Sequence, residues 1–389
     1  MDFYQHKDIQ KIFKVLNGRS RASQIMIVGG AVRDYSLGLR VSDIDMATLY
    51  NPEIVIDKLS PFFKMIPTGM AHGTVTALTG FGAVQITSLR RDEKTDGRYA
   101  EIEYTDDWVE DARRRDFTIN TLLMDATGKI FDPLGLGLDD LKAQKVRFVG
   151  NAEERIVEDY LRILRYIRFQ ARFGRGVMPA SMLKIFKEYK VGLKRLSIER
   201  VTDEISKIIF LTDGFKILSS CIHGGLLSFP KIDPVFIKFH KKIILKNFMT
   251  APLAFALFSS FKKSNWNRLK KNLRLSNKII DSVDCLLECW AIRDKKSLDY
   301  QLYRFGTDTV RQIYLLWMLE KNYSAQRVEK ELIALDQLVV PVFPLSGGDL
   351  IKAGYKQGAA LGAELLRLEK KWVRSGFKFV PSVSAPRLT

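Results

Sequence analysis

The amino-acid sequence predicts an α+β fold, in which a small mixed-sheet head is followed by an all-helical remainder. Short apolar runs in the first 142 residues are rich in β-branched side chains and end in glycine turns, which is typical of strands. From residue 151 onward the apolar positions recur at helical spacing instead. The chain has 389 residues, 46% of them hydrophobic, so it can bury a sizeable core in about two to four structural units.

The first elements of the head follow from local patterns. A leading helix is predicted over residues 3–16, because its apolar positions keep helical spacing up to the cap Asn17-Gly18. The apolar run Ile25–Val28 predicts a buried strand. This strand opens through the glycine pair Gly29-Gly30 into a helix that begins near Val32.

The rest of the head is predicted to contain a helix, a hairpin and a loop. The helix runs over residues 51–59, and the β-rich runs 73–78 and 83–89 flank a Gly-Phe-Gly turn as in a hairpin. Residues 90–103 alternate charges around a Thr-Asp-Gly turn, and we expect a mobile loop there. Most acids in residues 106–111 are expected to begin a solvated helix.

Two further stretches complete the head, and the first helix cap predicted beyond it is Ser197. Residues 117–122 alternate apolar and polar side chains, which predicts a half-buried element. Residues 132–135 have the composition of a turn, in which Asp132 is expected to be structural. Beyond the head, Ser197 is predicted to cap the first of several successive helices.

The glycine turn and the segment after it have the composition of a phosphate and metal site. Gly29 and Gly30 lack Cβ atoms, so backbone N–H groups can approach an anion, and the following helix N-terminus and Arg33 add positive charge. Asp43 and Asp45 lie two residues apart in a predicted strand, so both carboxylates face the same way. Such oxygens suit Mg²⁺, which is usually shared with substrate phosphates. The combination favours nucleotidyl transfer, although no third metal ligand can be nominated.

Four stretches in a fixed order identify a family. They are the segment 29–45 with Gly-Gly-x-Val-Arg-Asp and Asp-x-Asp, the segment 114–120 with Arg-Arg-Asp-Phe-Thr-Ile-Asn, Asp132-Pro133 with Gly135, and Glu158-Asp159 with Arg162, Arg165 and Arg168. Together they resemble the class II tRNA nucleotidyltransferases, or CCA-adding enzymes, and the related bacterial poly(A) polymerases. The likeness is close over roughly the first half of the chain and looser beyond it.

This resemblance implies a division of the chain into four parts. Residues 1–142 would form a polymerase β-like nucleotidyltransferase head, and residues 143–210 a helical neck that recognises the base. Residues 211–338 would form a helical, RNA-binding body. Residues 339–389 resemble the helical, tRNA-holding tail of alphaproteobacterial-type relatives.

The resemblance also implies individual roles. The loop at 90–103 would help the switch from adding C to adding A, which favours a complete CCA-adding enzyme. Arg115 would bind phosphates together with the glycine turn. The groups that would bind ribose and base are Asp116, Asp159, Arg162, Arg165 and Arg168.

Base choice follows from hydrogen-bonding chemistry at two of these residues. Cytosine and adenine each present an amino donor beside a ring-nitrogen acceptor, whereas uracil and guanine present a carbonyl acceptor beside an N–H donor. Asp159 can accept from the amino group and Arg162 can donate to the ring nitrogen. Asp159 lies three residues before Arg162, and we expect it to brace that guanidinium.

Positive charge is concentrated in the second half of the chain. The formal net charge is +18, of which residues 1–150 contribute −1 and residues 151–389 contribute +19. The window 261–280 holds seven basic residues and no acid, with Trp266 inside it. Such a window favours contact with an RNA backbone over a solvated helix face. The predicted RNA-binding residues are Lys262, Lys263, Lys270 and Lys271.

Composition excludes several classes of protein. No apolar run approaches the ~20 residues that span a bilayer, and the N-terminal stretch shows neither a secretory signal nor a transit peptide. Three cysteines form no disulfide framework, so a reducing cytoplasm is expected. No obligate protein partner is evident.

The predicted activity is addition of C, C and A to the 3′ end of tRNA from CTP and ATP, without a nucleic-acid template and with release of pyrophosphate. Mg²⁺ is the predicted cofactor. Three alternatives remain open: a poly(A) polymerase of the same superfamily, a partial CC- or A-adding enzyme, and an RNA-binding protein with an inactive head. The intact carboxylate pair argues against the last of these.

Overall fold

A computed structural model describes residues 2–20, 22–92, 102–245 and 247–379. The chain forms two compact units, Met1–Leu227 and Ser228–Thr389. All strands of the described residues lie in the first unit, and they are β1 Ile25–Val28, β2 Ile44–Thr48, β3 Lys64–Gly69, β4 Thr74–Leu78, β5 Ala83–Ser88, β6 Arg90–Asp92, β7 Ile102–Tyr104, β8 Leu123–Met124 and β9 Ile130–Phe131.

Ten helices of the described residues belong to the first unit. They are α1 Lys7–Asn17, α2 Gly30–Ser36, α3 Pro52–Leu59, α4 Trp108–Arg113, α5 Gly137–Lys142, α6 Ala152–Glu158, α7 Leu161–Arg172, α8 Ala180–Glu188, α9 Ile198–Ile209 and α10 Gly214–His223. Four short 3-10 turns accompany them, at Phe3–Gln5, Met70–His72, Thr118–Asn120 and Lys190–Arg195.

Seven strands form one mixed sheet in the order β3-β4-β5-β2-β1-β8-β9. Only the central β2–β5 pair is parallel, and β1 is antiparallel to both β2 and β8. In this register Val28, the last residue of β1, lies opposite Asp45 of β2. The sheet therefore places the glycine turn after β1 directly beside the aspartate strand.

The predicted elements of the head are confirmed where local pattern determines them. In α1 the apolar face is buried, and the helix ends at Gly18 with φ at +54°. The helix α3 and the β4–β5 hairpin have nearly the predicted bounds. Ser197 caps α9 as predicted, by accepting a hydrogen bond from the backbone N–H of Arg200.

The prediction of a loop over residues 90–103 is wrong at both ends. Arg90–Asp92 and Ile102–Tyr104 form an antiparallel ribbon, in which Arg91 lies opposite Glu103 with 2.7 Å between Nε and Oε2. Three-residue strands are too short to show a period in sequence, and cross-strand charge pairing stabilises them instead. The predicted switching role of the loop falls largely on residues 93–101, which lie outside the described residues.

The half-buried element expected at residues 117–122 is also wrong, because all six side chains are buried. Thr118 shows why, since its hydroxyl donates to the buried carboxylate of Asp140 at 2.6 Å. Internal hydrogen bonds of this kind permit burial of the polar half of the pattern. Asp132 is structural as predicted, because its Oδ2 accepts from the Leu138 N–H at 3.0 Å in the turn that leads to α5.

Helices are the regular secondary structure of the described residues in the second unit, and turns and irregular segments connect them. Its helices are α11 Pro234–Leu245, α12 Ala251–Phe258, α13 Lys263–Asn272, α14 Asn277–Ile292, α15 Leu298–Glu320, α16 Ala325–Asp336, α17 Gly347–Lys352 and α18 Ala359–Arg374. The backbone of α15 is kinked at Gly306. Across both units, no described helix is long and apolar enough to cross a lipid bilayer.

Candidate active site

The glycine turn after β1 is the centre of the site. Gly29 has φ at +68°, a left-handed conformation that L side chains rarely adopt. Its N–H donates to the Leu122 carbonyl at 3.1 Å. A Cβ atom added to Gly29 would lie 3.2 Å from Nη1 of Arg115. The backbone conformation therefore favours glycine, and any side chain at this position would also crowd the guanidinium of Arg115.

Asp45 lies in β2, and Asp43 immediately precedes the first residue of that strand. Asp43 and Asp45 are exposed, whereas Ile44 and Met46 are buried, so the predicted alternation of exposed and buried residues is present. Asp45 is exposed as a residue, but the surrounding protein partly desolvates its carboxylate, and this desolvation raises its pKa. The positive charge of Arg115 opposes this effect, and the negative charge of Asp43 adds to it. The pair thus concentrates negative charge at the exposed end of the strand.

A cavity of about 500 Å³ opens beside the turn and the strand. It brings together nine predicted site residues, which are Gly29, Gly30, Arg33, Asp45, Arg115, Asp116, Asp159, Arg162 and Arg165. Asn120, Leu161, Phe169 and Arg200 complete the lining. Asp43 and Arg168 do not line it.

Arg33 is held rigidly at the cavity wall and is only 6% exposed. Its Nε donates to Asp34 at 2.8 Å, and its Nη1 donates to Oδ1 of Asn120 at 2.5 Å. The guanidinium carbon lies 4.1 Å from the ring centroid of Phe173. Burial lowers the pKa of Arg33, and the adjacent Asp34 opposes that effect.

Arg115 is positioned by Asp111, which lies among the acids that were expected to begin a solvated helix. Asp111 is 1% exposed and accepts from Nη2 of Arg115 at 2.8 Å and from Nη2 of Arg114 at 2.5 Å. Burial by itself would raise the pKa of Asp111, but the two arginines outweigh it and hold the pKa below its usual value. The ionised carboxylate therefore fixes the direction of both guanidinium groups.

Asp116 links the head to helix α7. Its Oδ2 accepts from Nε of Arg165 at 2.8 Å, and its Oδ1 accepts from Nδ2 of Asn120 at 2.9 Å. These contacts lower the pKa of Asp116 against the effect of its burial. Asn120 thus bridges Arg33 and Asp116. Asn120 was quoted as the last residue of the segment 114–120 but was not predicted as a site residue, although its place in that motif was a usable signal.

The expected brace between Asp159 and Arg162 is wrong. Oδ2 of Asp159 accepts from Nη2 of Arg200 at 2.8 Å, and Oδ1 accepts from the Leu161 N–H at 3.0 Å. Arg162 instead donates from Nη1 to Glu158 and, at 2.9 Å, to the Arg155 carbonyl. Asp159 precedes the first residue of α7, so helical spacing does not apply to it. Arg200 had no signal in the sequence, because folding brings α9 to this position.

Arg168 lies outside the cavity lining and pairs with Glu204, with 2.7 Å between Nε and Oε2. The physical reason is helical geometry. Each step of three residues turns the side chain by about 60°, so two steps from Arg162 carry Arg168 well away from the cavity. Its predicted contact with the nucleotide has no support in the geometry.

The basic window of the second unit is only partly available for ligands. Trp266 is fully buried and donates from Nε1 to Asp284 at 2.9 Å. Lys263 and Lys270 lie 2.5 Å and 3.5 Å from the same carboxylate. Asp284 lies beyond the window 261–280 in the sequence. The count of acids within that window therefore overstated how much of its positive charge is unpaired. The other two predicted lysines, Lys262 and Lys271, are exposed.

The fold and the site together define a class of protein. A glycine turn and arginines suit a triphosphate, and adjacent exposed carboxylates suit a hard cation that shares its phosphates. This is the arrangement of a nucleotidyltransferase head. A family model described as the Poly A polymerase head domain matches residues 25–147, and one described as tRNA nucleotidyltransferase domain 2 matches residues 248–378.

Similar proteins specify the family. The chain is 34% identical to CCA tRNA nucleotidyltransferase 1, mitochondrial, of Mus musculus, over 91% of this chain and 84% of that protein. It is 31% identical to the CCA-adding enzyme of Streptococcus pneumoniae, over 93% of this chain and 92% of that protein. The chain therefore belongs to the class II CCA-adding enzymes. Nucleotidyltransferases of this kind generally use divalent metal ions.

A solved structure has the same fold. The crystal structure of the Bacillus stearothermophilus CCA-adding enzyme in complex with CTP superposes with a TM-score of 0.78 at 24% identity, and the match covers 97% of this chain and 94% of that one. The predicted α+β architecture, a mixed-sheet head followed by helices, is confirmed.

Proposed function

We propose that this chain adds C, C and A to the 3′ end of tRNA, from CTP and ATP, without a nucleic-acid template and with release of pyrophosphate. The observation that carries the proposal is the single cavity that Asp45 and Arg115 share with Asp159 and Arg162. One end has the chemistry to hold a triphosphate and the other has the chemistry to read a base. Two similar proteins, of Mus musculus and Streptococcus pneumoniae, bear the name of this activity.

Phosphate groups would be held by Gly29, Gly30, Arg33 and Arg115. Arginine can fork onto two phosphate oxygens, and the backbone at the glycine turn can approach closely. Asp116 would accept from ribose hydroxyls. Its pairing with Arg165 keeps that carboxylate ionised and fixed.

Base reading would use the remaining hydrogen-bonding capacity of Asp159 and Arg162. An ionised carboxylate has about four acceptor sites, and the Leu161 N–H and Arg200 occupy two of them. Asp159 can therefore still accept from the amino group of C or A. Arg162 uses Nη1 for its described contacts, so its other N–H groups can donate to the ring nitrogen.

Mg²⁺ would be held by Asp43 and Asp45. Both are exposed carboxylates at the start of β2, and the repulsion that contributes to the raised pKa of Asp45 is what a divalent cation would offset. When bound, the metal would activate the 3′ hydroxyl of the primer and neutralise charge on the triphosphate. In the described part of the chain, no group of three or more His, Cys, Asp or Glu side chains is placed to hold a metal.

We also propose that Lys262, Lys263, Lys270 and Lys271 contact the tRNA backbone. The division into a head at 1–142, a neck at 143–210, a body at 211–338 and a tail at 339–389 is part of the same proposal, as are the alphaproteobacterial-type tail and a cytoplasmic location.

One assay tests the activity. A tRNA that ends before CCA is incubated with Mg²⁺ and with each nucleoside triphosphate, singly and combined. We expect C to be added first and A only after it. Incorporation of A alone would indicate a poly(A) polymerase. The match to the Poly A polymerase head domain does not by itself distinguish that activity from CCA addition.

Substitution of the two aspartates tests the metal site. Asp43→Ala and Asp45→Ala should abolish addition of both nucleotides and leave tRNA binding nearly intact. More than a few per cent of activity in both variants would contradict the assignment.

A further inference from the structure

Arg155 lies on α6 and is not among the residues that line the nucleotide cavity. It is buried, with 8% of its surface exposed. A buried arginine requires partners for its charge and its donors. Its partners belong to both ends of the proposed nucleotide site.

The first set of partners is backbone. Nη2 of Arg155 donates to the carbonyl of Arg115 at 2.9 Å and also to the carbonyl of Arg114. Arg114 and Arg115 directly follow the last residue of α4, where carbonyl groups lack helical partners and favour a cation. Arg155 thereby fixes the backbone from which the guanidinium of Arg115 extends toward the glycine turn.

The second set of partners leads to the base-reading end. Nη1 of Arg155 donates to Oε2 of Glu158, and the same oxygen accepts from Nη1 of Arg162. Arg162 Nη1 also donates to the Arg155 carbonyl at 2.9 Å, which closes a ring of contacts. Burial would raise the pKa of Glu158, but the hydrogen bonds from Arg162 and Arg155 outweigh it and lower the pKa.

We propose that Arg155 is a positioning residue that sets the spacing between Arg115, at the phosphate end of the nucleotide, and Arg162, at the base end. The inference rests on the proposed function. Because one planar guanidinium contacts the backbone of the first and shares a carboxylate with the second, displacement of either end is transmitted to the other.

Arg155→Lys tests the geometry of this link while keeping its charge. Lysine is a point charge without a planar fork, so it cannot serve two carbonyls and Glu158 in the same arrangement. We expect KM for CTP and ATP to rise and the preference for C over U to fall by about 10- to 100-fold, because misplacement by about 1 Å has effects of that size. A purely structural role would change the thermal midpoint and would leave the preference unchanged.

Arg147→Lys is the matched control. Nη2 of Arg147 donates to Asp140 at 2.8 Å in the same unit, and the residue does not line the nucleotide cavity. It measures the general cost of replacing a paired arginine, and we expect unchanged base preference.

Glu158→Gln provides a second measurement that keeps the side-chain shape. It should lower the preference for C in the same direction, even if Arg155→Lys does not fold. Unchanged preference in Glu158→Gln, or equal loss of rate for all nucleotides in Arg155→Lys, would overturn the inference. A wild-type protein that added no C at all would overturn the proposed function, and this inference with it.

Discussion

Asp159 accepts a hydrogen bond from Arg200, with 2.8 Å between Oδ2 and Nη2, although 41 residues separate them in the chain. Its near neighbour Arg162 pairs with Glu158 instead. Helix α9 therefore contributes to the nucleotide cavity, and the carboxylate proposed to read the base is fixed from two sides. A group fixed in this way meets a base in one orientation, which selective hydrogen bonding requires.

Removing either base-reading group should relax the choice of nucleotide. In Asp159→Ala or Arg162→Ala, C and A lose a hydrogen-bonding partner, so the overall rate should fall. The same change removes a group that faces U and G with mismatched hydrogen-bonding polarity, so UTP and GTP should be incorporated more readily. Each buried polar group left unpaired costs ~1 to 3 kcal/mol. Primer extension with each nucleotide alone measures the effect. Equal loss for all four, with the preference for C and A intact, would leave the two residues as ion pairs of the neck.

Gly29→Ala should weaken triphosphate binding more than its effect on stability explains. The new methyl group would lie 3.2 Å from Nη1 of Arg115, so the guanidinium must move. Gly18 is a matched control, because its φ of +54° and ψ of −124° resemble the +68° and −121° of Gly29 while no atom lies within 4 Å of its added Cβ. Both variants should lose ~1 to 3 kcal/mol of stability.

Only Gly29→Ala should raise KM for CTP. Steady-state kinetics, together with urea unfolding of both variants, separate the two effects. Equal KM values in the two alanine variants would show that crowding of Arg115 has no influence on binding.

The sequence was sufficient where a pattern and its consequence lie within one element. The alternation of Asp43 and Asp45 with Ile44 and Met46 predicted which of these side chains are exposed and which are buried, because a two-residue period is a property of extended backbone itself. The turn at Gly29 was predictable because the glycine pair directly follows the apolar run of β1 in the sequence. Folding then placed Asp45 beside this turn through pairing of β1 with β2, which the order of elements already suggested.

Prediction failed where a partner comes from a distant part of the chain. Asp159 was paired with the nearest arginine in sequence, but three-dimensional packing supplies Arg200 from another helix. Trp266 belongs to a run of basic residues, but its side chain is part of the hydrophobic core of the second unit. Its burial is possible because its N–H donates to Asp284 within that unit. Such pairings depend on which faces pack together, and one sequence without tertiary contacts does not contain that information.

Asp111 should make stability depend on pH in the acid range. Its pKa is lowered in the folded protein by Arg115 and Arg114, against the effect of burial. The stabilisation is therefore present above the unfolded-state pKa of ~3.9 and is lost as pH falls through the folded value. Asp111→Asn should cost roughly 3 kcal/mol near neutral pH, since it removes the charge of a buried pair.

The difference between wild type and Asp111→Asn should narrow below about pH 4. Urea unfolding at several pH values measures it. Asp107→Asn is the control, because Asp107 is the exposed cap of α4 and asparagine caps equally well. A difference that stayed constant across the acid range would mean that Asp111 does not act through its charge.

The four predicted RNA-binding lysines should divide into two unequal pairs. Lys262, Lys263 and Lys271 are all exposed, but Lys263 and Lys270 share the carboxylate of Asp284, whereas Lys262 and Lys271 do not contact it. A phosphate contact by a free lysine releases counterions, and each one contributes about 0.7 to 0.9 to the slope of log K against log salt. Replacing Lys262 and Lys271 by Ala should therefore flatten that slope by up to about 1.4 to 1.8.

The matched double variant replaces Lys263 and Lys270 by Ala. Its slope should change less, because Asp284 already offsets part of their charge, and its stability should change little, since exposed ion pairs contribute only ~0 to 1 kcal/mol. Filter binding of tRNA between about 50 and 200 mM salt measures both slopes. If all three proteins give the same slope, the basic face of α13 is merely solvated, and tRNA must be held by other basic residues of the chain.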